Sequence, residues 1–145
     1  MIAPDLSRRL DKLSARQLRQ ICAAVCGTAI RQTRLGEPTL NEALAVLHSI
    51  EPASQTLRND AVALAERFDT IYFDLQDAAG ERRAAQAQVH EAFFRARAAS
   101  AVAIAISGLS ADIAKEVIYE AVAATDNLAE LEDIIHATLG LSHAP

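Results

Sequence analysis

The sequence has no tryptophan, and aromatic residues make up only 4% of it. Its core must therefore be built from smaller aliphatic side chains rather than large rings. Five glycines and four prolines in 145 residues are too few for the frequent turns of a β-sandwich. Nowhere do six residues alternate convincingly between apolar and polar, so no strand is expected. The longest apolar stretch, Ala98 to Ile106, is interrupted only by Ser100 and closed off by Arg95 and Arg97. It is roughly half of the ~20 residues that a membrane span needs. Asp5 breaks the start of any secretory signal, which needs a basic beginning and an apolar run. The expected location is the cytoplasm, with no membrane partner.

Cys22 and Cys26 are the only cysteines. They stand four residues apart in a helical pattern, where a disulfide would close too short a loop to stabilise anything. A structural zinc site needs a second ligand pair, and none is present. Two buried apolar thiols is the expectation.

Catalytic motifs are missing as well. His48, His90, His136 and His143 are scattered. There is no G-x-S-x-G elbow, no glycine-rich phosphate loop and no H-E-x-x-H. Asp133 and His136 share one helical face, but di-metal bundles use such a pair twice, with two further inward carboxylates. Tyr72 and Tyr119 more naturally pack in a core with the hydroxyl at its edge. No enzyme activity, metal or cofactor is expected.

What is present is helix-forming composition: 31 alanines, and 51% apolar residues overall. A short helix begins near Pro4. The capping box Ser14-Ala15-Arg16-Gln17 opens a second helix, which Gly36 and Pro38 end. A capping box Thr39-Leu40-Asn41-Glu42 opens a third. A fourth runs from about Ser54 to Ala79, stopped by Gly80. Its residues Leu57, Ala61, Leu64, Phe68, Ile71 and Leu75 alternate in steps of four and three, the pattern of a left-handed packing seam. A fifth runs from Glu81 to about Ser107. Its second half is apolar all round, and such a helix is buried on every side. A sixth carries Ile113, Val117, Ile118 and Ala121. Asn127-Leu128-Ala129-Glu130 caps a seventh, ended by Gly140. The prediction is a single all-α domain over 1–145, a bundle of about six to seven helices around a central apolar helix at about 81–107.

The net charge of -5 hides a separation. Residues 1–36 hold seven Lys or Arg and only two acids; residues 101–145 hold one Lys and seven acids. Arg8, Lys12, Arg16 and Arg19 form a basic ridge if the first two helices are continuous across Ser14. An acidic chain is nevertheless a poor match for a nucleic-acid duplex. On the sixth helix Asp112, Glu116 and Glu120 align three like charges, which costs each pair a few tenths of a kcal/mol. On the fourth, Glu66, Asp69, Phe73 and Asp77 share a face roughly opposite the seam, an aromatic among carboxylates. These seven residues are the candidate partner-binding positions: acids to steer a basic partner, an aromatic to anchor it. The bland reading is a solvated face whose acids pair with the chain's own arginines.

Two stretches carry a resemblance: Tyr72-Phe73-Asp74-Leu75-Gln76 after an acidic helix, and Ile118-Tyr119-Glu120-Ala121-Val122-Ala123-Ala124-Thr125 before a capped final helix. With the overall layout, they resemble the small acidic all-helical immunity proteins that accompany bacterial secreted toxins. The resemblance implies a non-enzymatic inhibitor that neutralises a cognate toxin with a basic surface. The competing expectation is a helical scaffold or homodimeric module with no toxin partner; a nucleic-acid-binding regulator using the basic segment is less favoured.

Overall fold

The computed structural model describes residues 4–142; residues 1–3 and 143–145, His143 among them, lie outside it. Among the described residues there are seven helices and no strand. They are α1 (Pro4–Asp11), α2 (Ala15–Thr33), α3 (Pro38–His48), α4 (Gln55–Ala79), α5 (Arg83–Ile106), α6 (Ala111–Thr125) and α7 (Leu128–Ser142).

Their starts are set by local hydrogen bonds. At α2, Ser14 Oγ accepts from the Gln17 N–H at 3.1 Å, while Gln17 Oε1 accepts from the Ser14 N–H at 3.0 Å. This satisfies two otherwise orphaned amides. Ser54 and Ser110 cap α4 and α6 in the same way, accepting from Leu57 and Ile113. Asn127 accepts from the Glu130 N–H at 3.1 Å. The Glu130 carboxylate accepts from the Asn127 and Gln32 side-chain amides rather than completing a reciprocal box.

Three sequence expectations need correction. The third helix does not open on Thr39. Glu37 is its N-cap and Pro38 its first residue, because a fixed φ and a missing N–H suit Pro to that position. The second helix ends at Arg34, which takes the left-handed conformation (φ 54°), two residues before Gly36. The last helix runs through Gly140, which stops a helix only when it adopts positive φ; among the described glycines only Gly80 and Gly108 do so.

The second half of α5 is the centre of the bundle. Ala98, Ala99, Ala101 and Val102 have no solvent exposure. Helices α2, α3, α4 and α6 all pack on α5, while α1 docks on α6 and α7 on α2 and α6. The alanines let four helices approach one, and the large side chains lie a layer further out: Leu10, Ile21, Leu40, Ile118, Leu131 and Ile135 are fully buried. Each contributes about 1.5–3 kcal/mol of apolar burial. Cys22 and Cys26 are buried on α2, and burial pushes the Cys22 thiol up to about 12 and the Cys26 thiol well above its ordinary value.

The two longest helices outrun this core. Leu57, Ala61, Leu64 and Ala65 of α4 and the buried residues from Ala98 to Ile106 of α5 belong to it, with Phe68 packed against it. Beyond them Ala79, Val89, Ala92 and Ala96 are buried but stand apart from the main core. The C-terminal half of α4 and the N-terminal half of α5 thus form a two-helix arm. The α4 seam is accordingly covered only in part. Leu57, Ala61 and Leu64 are buried, Phe68 and Leu75 half-buried, and Ile71 is 42% exposed.

Candidate functional site

On α5 the accessible residues follow helical spacing: Phe93, Arg97, Ser100, Ile104 and Ser107. Every other position from Ala96 to Ile106 is buried. This stripe is the floor of a channel between α4 and α6, both of which pack on α5. Its α4 bank is Val62, Glu66, Asp69, Phe73 and Asp77. On α6, Glu120 reaches this stripe through Arg97. The two acidic stripes, read separately in the sequence, are joined there through Asp69 and Glu120.

Arg97 ties the banks together. Its Nη2 donates to Asp69 Oδ1, and its Nη1 donates to Glu120 Oε2 at 2.9 Å. One guanidinium therefore serves two helices that meet only across α5. Asp69 and Glu120, both candidate contact residues, are thus engaged inside the chain. The Glu120 carboxyl is nonetheless raised above its ordinary value. Burial is the main cause; Arg97 opposes it, and the Asp69 and Glu116 charges add to it. Arg97 Nε is buried without a hydrogen-bond partner among the described residues.

Of the remaining acids, Asp112 has an ion pair within its own helix, and Glu66, Asp77 and Glu116 have none among the described residues. Glu66, Asp77, Asp112 and Glu116 are exposed. Asp112 lies 3.8 Å from Lys115, whose closer partner is Asp11 on α1 at 2.7 Å. Phe73 is 56% exposed, on the wet side as its carboxylate neighbours imply. It begins a row of rings: Phe73 against Tyr72 at 5.1 Å, Tyr72 against Phe93 at 5.3 Å, and Phe93 against Phe94 at 6.0 Å. The Arg97 guanidinium lies 5.8 Å from the Phe93 ring centroid, within cation–π range. On α6 Tyr119 is 57% exposed. It is not the core residue expected from the sequence.

Between α4 and α5 lies a groove of about 210 Å³ lined by Val62, Ala65, Glu66, Asp69, Ser100 and Ile104. Its lower wall is apolar and its rim acidic. Such a surface suits an apolar side chain flanked by basic ones.

Sequence reasoning missed Arg97 and Tyr119. Arg97 was read as the end of an apolar run, although Ser100 and Ser107 at helical spacing from it mark the one wet stripe of α5. The basic ridge depends on a continuity that fails, since Ser14 is an extended N-cap between two helices. Two of its four members are also engaged elsewhere. Arg8 pairs with Asp5, and Arg19 donates to the Val46, Ser49 and Glu51 carbonyls at the end of α3. His136 Nδ1 lies 3.1 Å from Arg9, and among the described residues no cluster of three His, Cys, Asp or Glu is placed to hold a metal.

A larger cleft of about 480 Å³ lies where α5 passes the C-terminal ends of α2 and α6, lined by Thr33, Arg34, His90, Glu91, Phe94 and Thr125. One of its charges is already committed: Glu91 pairs at 2.8 Å with Arg95, which also donates to the Thr33 carbonyl. Among the described residues no helix is long and apolar enough to cross a membrane. In comparisons with known proteins, no family model, no curated protein and no solved structure matches the chain.

Proposed function

We propose that the chain is a non-enzymatic protein-binding module that receives a basic partner surface along the channel between α4 and α6. One observation carries the reading: Arg97 joins Asp69 of one acidic row to Glu120 of the other across α5, and beside it an apolar-lined groove opens between α4 and α5 on the face that exposes Phe73. Exposed acids steer association, and Phe73 provides the rigid apolar area typical of a binding anchor. The specific form we propose is an immunity-type inhibitor acting in the cytoplasm on a cognate bacterial toxin.

The test uses the wild-type chain and Asp112→Lys/Glu116→Lys as parallel baits in the native cell. Both substitutions lie on exposed positions that hold no other helix in place. The wild type recovers a partner that the double variant binds about tenfold more weakly at low salt, with a flatter salt dependence. That partner arrests growth when expressed alone and is tolerated when the wild-type chain is co-expressed. Equal recovery by both baits removes the channel from the proposal. A partner that is harmless alone removes the toxin.

A further inference from the structure

The distal half of α4 carries a second, different surface. Ile71 and Phe73 are two residues apart, hence about 200° apart around the helix. Phe73 faces the acidic channel; Ile71 lies on the other side, in line with Phe68 and Leu75. Nearer the core, α3 packs beside this seam; over the arm Phe68 and Leu75 are half-buried and Ile71, on the outer side, is exposed. Along its outer edge stand Arg67 and Asp74, seven residues apart and therefore at equivalent positions of the repeat. Both are exposed, and neither has a hydrogen bond or ion pair among the described residues.

We propose that this seam is where a second copy of the chain docks, arm against arm about a two-fold axis near residue 70. In that antiparallel arrangement Phe68 lies level with the partner's Ile71, and Arg67 with the partner's Asp74. The symmetry repeats each contact, as an isologous interface requires. Two arms of two helices side by side form a four-helix bundle, which closes a seam with this spacing. The charges also select the register. Sliding the copies by one heptad brings Asp74 against Asp74 in one direction and Arg67 against Arg67 in the other. A second copy supplies the complementary charge at the required place without further assumptions about a partner. The acidic channel stays open on the opposite side of α4, so the proposal does not depend on the toxin reading.

Sedimentation velocity of the full chain from about 1 to 100 µM is the test. The wild type is expected to dimerise, and Ile71→Arg to remain monomeric with unchanged helical circular dichroism. Arg67→Asp and Asp74→Arg each convert two attractions into two repulsions, weakening the dimer about tenfold. The double variant Arg67→Asp/Asp74→Arg restores it, because each copy again meets the opposite charge. A monomeric wild type at the highest concentration overturns the proposal. So does a dimer that survives Ile71→Arg, or single charge variants that the double swap fails to rescue.

Discussion

Arg97 Nη1 and Glu120 Oε2 stand 2.9 Å apart, a link between the middle of α5 and the last turns of α6. The two partners are not equivalent. Removing the arginine leaves both Glu120 and Asp69 as partly buried carboxylates without their cation, an expensive state. Arg97→Met is expected to destabilise the fold by about 2–3 kcal/mol in urea unfolding, discounted for partial exposure. Glu120→Gln removes a carboxylate that burial already disfavours and leaves Asp69 on Arg97. Its effect at neutral pH should stay within about 1 kcal/mol.

The same pair fixes the sign of a pH dependence. Glu120 has a raised folded-state carboxyl, so near and below the ordinary value of 4.5 the folded chain binds the proton at least as well as the unfolded one. As pH rises from there, the unfolded chain loses its proton first, and stability falls until the folded carboxyl ionises too. Comparing wild type with Glu120→Gln across this range should show a steeper decline in the wild type. Parallel curves would show that Glu120 does not couple folding to protonation.

Arg19 caps the end of a helix that is not its own. Its three hydrogen bonds, at 2.5–2.7 Å, go to the Val46 carbonyl in the last turn of α3, to its C-cap Ser49 and to Glu51 just beyond, where no αL glycine ends the helix. Arg19→Ala should cost about 1.5–3 kcal/mol, the range for hydrogen bonds from a charged donor. Hydrogen exchange at Val46 to Ser49 should accelerate more than in α7, which shares no contact with the cap.

Arg34 holds the left-handed conformation at φ 54°, where a Cβ is crowded. Arg34→Gly should stabilise the chain by about 0.5–1 kcal/mol, visible as a rise in Tm of a few degrees. A fall in Tm would mean that the arginine side chain contributes more than its backbone costs.

The alanines at the centre of the bundle act by their size. Ala101 has no solvent exposure and lies where four helices converge on α5. Ala101→Leu should destabilise by about 1–3 kcal/mol or more, since added carbons at a fully buried position force the packed neighbours apart. The same substitution at exposed Ala78 should change stability by less than about 0.5 kcal/mol.

Helices and their order were legible because their signals are local. Ser14, Ser54 and Ser110 act within three residues of themselves, and an apolar period reports burial without naming the neighbour. The third helix start was misread because Thr39 and Glu42 mimic a capping box one position downstream of a proline that already occupies the first turn. The candidate site was legible only as two separate stripes. What joins them is Arg97, which spans 28 residues to Asp69 and 23 to Glu120. Linear spacing carries no information about such a meeting. The coverage of the α4 seam was equally hidden, because whether Ile71 is buried depends on where α3 ends.

Cys22 and Cys26 have a practical consequence. Both lie in the central core, inaccessible to reagent and held as neutral thiols. A thiolate-selective alkylating agent can reach them only when α2 separates from its neighbours. The rate of labelling in dilute reagent therefore counts core openings directly, without any introduced probe. The molecule carries its own clock for the exchange between its folded and open forms.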